Sequence, residues 1–138
     1  MSFQWKDRYT LNIPEIDTQH KKLFEIGNNA YDLAMLDDNY DHYDEIMSII
    51  DELLDYTQYH FGYEEELMEK YEYVDIGHQQ KEHNFYVNKI KNMSSEKVDD
   101  NQQKVVLDIL DFLSEWISSH ILISDRKYAD AFKEKGIF

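Results

Sequence analysis

Apolar residues recur every three or four positions along most of the chain, which is the spacing of one face of an α-helix. The longest such segment carries Ile46, Ile49, Leu53 and Tyr56 on one face. No stretch alternates apolar and polar residues as a β-strand does, and one proline and four glycines favour long uninterrupted helices. The pattern predicts helices over about 17–36, 42–72, 78–93 and 97–120, and a short helix over 125–134.

Short polar turns join the predicted helices, and short connections make neighbouring helices antiparallel. We therefore expect an all-α fold, an up-down-up-down antiparallel four-helix bundle with a short C-terminal helix. At this length, residues 1–138 are expected to form a single domain with a hydrophobic core of its own.

An extended N-terminal arm is expected before the first helix, because residues 1–16 show no helical periodicity. The arm carries three aromatic rings that can cover apolar helix surface: Phe3, Trp5 and Tyr9. Asp17 or Thr18 is then expected to cap the first helix, because a short polar side chain can accept a hydrogen bond from the free N–H groups of the first turn.

Four histidines lie on the apolar faces of four different predicted helices: His20, His60, His83 and His120. In an up-down-up-down bundle the starts of odd helices meet the C-terminal halves of even helices, so these side chains share one level. Glu64 lies four residues after His60, on the same helical face. A single histidine there is more often a hydrogen-bonded core residue. Four at one depth beside a buried carboxylate indicate a metal site.

Asp125 follows His120 by five residues, which on a regular α-helix turns its side chain about 140° away from the histidine. The simpler interpretation is that Asp125 caps the short last helix. It can join the metal site only if the helix loosens or ends after His120.

The composition narrows the chemistry of such a site. Cysteine is absent, which excludes disulfides and thiolate sites, so histidines and carboxylates must hold the metal, as suits iron, manganese or zinc. With 29 acidic and 14 basic residues the net charge is −15, which disfavours nucleic acids and anionic membranes as partners. No apolar run is long enough to span a membrane and no signal peptide is visible, so we expect a cytoplasmic protein.

Four segments contain the candidate ligands: Ile16-Asp17-Thr18-Gln19-His20-Lys21-Lys22-Leu23, His60-Phe61-x-x-Glu64-Glu65, Lys81-Glu82-His83 and His120-x-x-x-x-Asp125. Together they resemble the hemerythrin family, in particular its single-domain bacterial type, the bacteriohemerythrins. The resemblance runs over essentially the whole chain, including the aromatic arm. It implies a four-helix bundle with two iron ions, an oxo- or hydroxo-bridged non-haem di-iron centre that binds dioxygen reversibly.

The resemblance also implies a role for each ligand. Glu64 and Asp125 resemble the two carboxylates that bridge the irons. His20 and His60 resemble the ligands of the iron that keeps an open position. His83 and His120 resemble two of the three histidines on the other iron.

The third histidine of that second iron is where the sequence departs from the family. The family has His-x-x-x-His at the start of the third helix, and the first position of that pattern is Gln79 here, preceded by His78. Three alternatives are open: His78 binds after a local distortion of the first turn, the Gln79 amide oxygen binds, or the position has no protein ligand. A neutral nitrogen is the better iron ligand, so His78 is favoured.

Apolar residues near the histidines are expected to form a water-poor ligand pocket: Leu23, Phe24, Leu113 and Trp116. The first functional hypothesis is oxygen storage, delivery or sensing, with dioxygen or another small diatomic or peroxide as ligand and no protein partner identified. The second is a di-iron enzyme that acts on peroxide, nitric oxide or dioxygen. The third is a metal-free bundle for protein interaction, which leaves the converging histidines unexplained.

Overall fold

The computed structural model describes residues 5–36, 42–95 and 102–138. The elements are α1 (Pro14–Ala34), α2 (Tyr43–Lys70), α3 (Ile76–Ser95), α4 (Gln102–Ser119) and α5 (Arg126–Glu134), with a 3-10 turn (Asp7–Tyr9) and a π-helical turn (His120–Asp125). Within the described ranges there is no β-strand, and both α1 and α3 pack against α2 and α4. This confirms the all-α four-helix bundle with a short C-terminal helix.

The N-terminal arm packs on α1 and α4, as predicted for Trp5 and Tyr9. The Trp5 ring meets Phe24 edge-on at a centroid distance of 5.8 Å, and the Tyr9 ring stacks on Phe24 at 5.3 Å. The Tyr9 hydroxyl lies 3.1 Å from Ser118 Oγ of α4. The arm therefore covers the groove between these two helices. Phe3 lies outside the described residues.

Helix α1 begins at Pro14, three residues before the predicted start. Proline suits the first helical position because its φ is already helical and its missing N–H would have no intrahelical partner there. The expected cap by Asp17 or Thr18 is therefore wrong. Asp17 lies inside α1, where its carboxylate accepts hydrogen bonds from the backbone N–H groups of Leu11 (2.8 Å) and Asn12 (3.1 Å). These bonds hold the end of the arm against the helix.

The remaining helix ends lie close to the predicted ones. Helix α3 begins at Ile76, two residues earlier than predicted, and α1 ends at Ala34 instead of near 36. The predicted start at 97 lies outside the described residues. No helix in the described part of the chain is long and apolar enough to cross a membrane.

Candidate metal centre

Six buried side chains from α1, α2, α3 and the π turn converge in the interior of the bundle. They form two groups, and within each group one ligand atom per residue lies within 4.8 Å of all the others. The first group is His20, His60, Glu64 and Asp125, and the second is His83, His120, Glu64 and Asp125. The two groups share both carboxylates, so the structure brings the four histidines to one level.

The π turn brings Asp125 into the cluster. In a π-helix the backbone hydrogen bonds span five residues instead of four, so residues five apart lie on nearly the same face. His120 Nε2 lies 3.1 Å from Asp125 Oδ1. The loosening of the helix after His120 is therefore present, and the Asp125 side chain makes no capping hydrogen bond to α5.

The Nε2 atoms of the four histidines face the centre of the cluster. Their close contacts are with the carboxylates and with each other: His60 Nε2–Glu64 Oε1 at 2.8 Å, His20 Nε2–Asp125 Oδ2 at 3.2 Å and His83 Nε2–His120 Nε2 at 3.1 Å. Two ring nitrogens at this distance need a proton or another cation between them, because each otherwise directs a lone pair at the other.

Hydrogen bonds from outside the cluster orient three of these rings at Nδ1. The pairs are His60 Nδ1–Gln19 Oε1 (2.7 Å), His83 Nδ1–Glu65 Oε2 (2.9 Å) and His120 Nδ1–Glu82 Oε2 (3.0 Å). Burial lowers the pKa of His60 and of His83 to about 4, so both are neutral at neutral pH. A neutral ring that donates its one N–H from Nδ1 directs the Nε2 lone pair inward, as a metal ligand must.

The pKa values of the two shared carboxylates shift in opposite directions. Burial, and then the charge of Asp125, raise the pKa of Glu64 well above its ordinary value. Burial alone would raise the pKa of Asp125, but His120, through its charge and a hydrogen bond, and then the nearby His20 hold it well below its ordinary value. For the imidazole of His120 the effect of burial is the opposite and would lower the pKa, but Asp125 and Glu82 raise it to about 10. A metal at His120 would therefore displace a proton.

Several polar atoms of this cluster are buried and make no hydrogen bond of regular geometry with the described residues: His20 Nδ1, His20 Nε2, Glu64 Oε1, Gln79 Oε1 and Asp125 Oδ2. The closest approaches among them are the ion-pair contacts His20 Nε2–Asp125 Oδ2 and His60 Nε2–Glu64 Oε1 given above. An unsatisfied buried polar group costs about 1–3 kcal/mol. A bound cation would satisfy the inward-facing His20 Nε2, Glu64 Oε1 and Asp125 Oδ2 directly, and imidazole nitrogens with carboxylate oxygens suit iron, manganese or zinc. The residues present therefore fit one metal ion in each of the two groups.

The start of α3 places Gln79, and not His78, beside the cluster. Gln79 is 1% exposed, and its Nε2 donates to Asp125 Oδ1 at 3.2 Å. The His78 side chain is 63% exposed, and its Nε2 lies 2.6 Å from Glu82 Oε1. Because α3 is α-helical from its first turn, position 79 lies on the same face as His83 and position 78 does not. The local distortion that would bring His78 into the cluster is not present.

A small apolar-walled cavity adjoins the first ligand group. Its volume is about 10 Å³. This is close to the minimum volume, roughly 10–15 Å³, that holds one water molecule. Leu23 and Trp116, which the sequence predicted for the pocket, are in its lining. The lining residues are His20, Leu23, His60, Phe61, Trp116, Ile117, His120, Ile121 and Asp125.

The other two predicted pocket residues lie elsewhere. Phe24 follows Leu23 by one residue, which is about 100° around the helix, and its ring packs against Trp5 and Tyr9 of the arm. Leu113 is buried in the core, roughly 10 Å along α4 from His120 at 1.5 Å per residue.

Five supporting residues were not identified from the sequence: Gln19, Phe61, Glu65, Glu82 and Tyr128. The Tyr128 hydroxyl donates to Glu64 Oε2 at 2.6 Å, and the Phe61 ring stacks on His83 at a centroid distance of 3.8 Å. Four of the five, all except Tyr128, stand directly beside a candidate ligand in the sequence, but neighbours on a helix point about 100° apart. Adjacency is therefore the one signal that could have found them.

Comparison with known proteins agrees with this geometry. A family model described as the Hemerythrin HHE cation binding domain matches residues 11–132. A bacteriohemerythrin of Clostridium acetobutylicum is 39% identical over 93% of this chain and 99% of its own length. A bacteriohemerythrin of Pseudomonas aeruginosa is 30% identical over 94% of this chain and 80% of its own. A hemerythrin-like protein of Naegleria gruberi is 29% identical over 91% and 90%.

Proposed function

Because the chain belongs to the hemerythrin family, we propose that the cluster holds two iron ions and that one of them binds dioxygen reversibly, for oxygen storage, delivery or sensing. His20 and His60 would hold one iron, and His83 and His120 the other. Glu64 and Asp125 would bridge the two.

One observation supports the proposal most strongly. Two groups, each with two histidines, share both of their carboxylates in the buried interior of the bundle. The inward-facing His20 Nε2, Glu64 Oε1 and Asp125 Oδ2 make no hydrogen bond of regular geometry among the described residues. A purely structural polar cluster of this size would satisfy its own donors and acceptors, whereas a cluster that binds cations directs lone pairs at the same point.

A pair of ferrous ions, when bound, supplies the electrons that bound dioxygen accepts. The protein's part is to hold the ligands and to exclude water. Gln19 fixes the ring of His60 through Nδ1, and Tyr128 fixes Oε2 of Glu64. Such partners keep ligand rings and carboxylates oriented before the metal arrives. The two carboxylates also offset half of the four positive charges of a ferrous pair.

The cavity favours the His20–His60 position as the site of dioxygen binding. Both of its histidines line the cavity, whereas His120 alone does so from the other pair, and Leu23, Ile117 and Ile121 supply apolar walls. A small apolar space beside the metal would leave room for one small ligand and keep out the bulk water that would carry charged products away. Reversible binding is therefore favoured over turnover.

Optical stopped-flow spectroscopy tests the proposal. The protein is loaded with ferrous iron under anaerobic conditions and mixed with dioxygen, and the dioxygen is then removed. We expect a visible absorption band that persists with dioxygen present and fades when it is removed, over repeated cycles. Glu64→Ala should abolish the band, and Glu66→Ala, an exposed carboxylate on the same helix, should keep it.

Two results would contradict the proposal. The first is the absence of any band in iron-loaded protein. The second is a band that decays within one cycle and leaves ferric iron that dioxygen removal does not restore, with peroxide consumed when it is supplied. The second result would favour the di-iron enzyme hypothesis.

A further inference from the structure

The two candidate metal positions receive the same set of protein ligands. Each is offered two imidazole nitrogens and the same two carboxylates. Within the described ranges, no further histidine, aspartate or glutamate joins either group. The histidines and carboxylates therefore give both positions the same number of ligands. Gln79 could make them differ, because it contacts Asp125 Oδ1, the oxygen that also contacts His120 of the second group.

The amide of Gln79 is already engaged through its nitrogen. Nε2 donates a hydrogen bond to Oδ1 of Asp125, one of the two shared carboxylates, and the side chain is 1% exposed. Its oxygen, Oε1, is buried and has no hydrogen-bond partner among the residues that the structure describes. A buried acceptor without a donor is unfavourable, so Oε1 is suited to a small molecule that carries a hydrogen.

In α3 no histidine besides His83 reaches the cluster. His78 is the nearest histidine in the sequence, but its ring is 63% exposed and paired with Glu82. A five-residue separation from His83 keeps it off the face that carries His83 and Gln79. A move into the cluster would require α3 to unwind at its first turn and would break the contact with Glu82.

We propose that Gln79 holds Asp125 by hydrogen bonding and does not bind metal, so that the His83–His120 position takes a small exogenous ligand of its own. This inference rests on the proposed function, because it requires the metal pair. The ligand class is water, hydroxide or a small anion such as azide. A ligand that carries a hydrogen can donate it to Gln79 Oε1. The protein thus has a second small-ligand position besides the one beside the cavity.

Azide titration of the iron-loaded, oxidised protein tests this, with the azide-to-iron absorption band and calorimetry as readouts. We expect two azide ions to bind per iron pair in the wild type. Gln79→His places an imidazole at the buried position and should reduce the number to one, with the iron content unchanged. Gln80→His makes the same substitution at the next residue, which is exposed, and should leave two.

The possible failures are distinguishable. An iron pair that binds a single azide in the wild type would overturn this inference and leave the proposed function standing. The same holds if Gln79→His retains two azide sites while it folds and binds iron as the wild type does. If the wild type retains no iron pair, both the proposed function and this inference are overturned. The wild-type titration decides the matter even if Gln79→His does not fold.

Discussion

Replacing Gln19 with leucine removes the acceptor that fixes the ring of His60. Gln19 is buried, its Oε1 accepts from His60 Nδ1 at 2.7 Å, and its Nε2 donates to Glu15 Oε1 at 3.0 Å. Because the nitrogen of the amide is taken by Glu15, the oxygen faces His60 and holds the proton on Nδ1. Leucine fills a similar volume but leaves the ring free to rotate and to place its proton on Nε2, the atom that faces the metal.

The expected loss follows from the role of that hydrogen bond. Removing a partner that orients a metal-binding histidine typically costs 10- to 100-fold in metal affinity, which is about 1.4–2.8 kcal/mol. Glutamate at the same position still offers an oxygen to Nδ1–H. Gln19→Glu should therefore keep most of the iron affinity, although it should lower the folding stability, because the new charge is buried and stands four residues from Glu15.

Anaerobic competition between the protein and a ferrous chelator measures this affinity. Circular dichroism and urea unfolding of the metal-free variants show whether each one folds. We expect Gln19→Leu to bind iron about 10- to 100-fold more weakly than wild type, with Gln19→Glu close to wild type. If Gln19→Leu folds and binds iron as tightly as the wild type, the Nδ1 hydrogen bond does not orient His60 for the metal. The same conclusion would follow if both variants lost affinity equally.

Three further predictions concern other parts of the site. Tyr128→Phe removes the donor to Glu64 Oε2 and should lower the unfolding free energy of the iron-loaded protein in urea by about 1.5–3 kcal/mol. The control is Tyr73→Phe, because the Tyr73 ring lies next to that of Tyr128, with 6.3 Å between the centroids. An equal loss in both variants would refute the role of the Tyr128 hydroxyl. His78→Ala should leave iron content and the optical spectrum unchanged, because this ring is exposed; a loss of iron would restore His78 as a candidate ligand. Removing iron with a chelator should lower the melting temperature, because free iron at 100 times its dissociation constant stabilises a folded site by about 2.7 kcal/mol; identical melting curves with and without iron would show that the cluster does not bind it.

The bundle and the histidine cluster could be predicted because both follow from helical periodicity. Apolar residues at helical spacing fix which face of each helix is buried, and short turns fix the direction of the next helix. His20, His60, His83 and His120 then meet without any knowledge of side-chain contacts. Asp125 required one additional feature, a local widening of the helix. The five-residue spacing alone favoured a helix cap, and only the resemblance to the hemerythrin family indicated a ligand; the π turn provides the widening.

The remaining features depend on information that periodicity does not carry. Whether residue 78 or 79 faces the cluster depends on the register of the first turn of α3, and the preference for a nitrogen ligand pointed to His78 where the helix places Gln79. Gln19, beside His20 in the sequence, reaches across to His60 of α2 instead. Such contacts are set by how two helices pack, so a single sequence gives no spacing that would identify them.

Anaerobic titration of the metal-free protein with ferrous iron measures how many ions the cluster holds. Because the two ligand groups share both carboxylates, we expect saturation at two iron ions per chain, and Glu64→Ala should lose both ions together. Saturation at a single ion, or a Glu64→Ala variant that still retains two, would contradict this expectation.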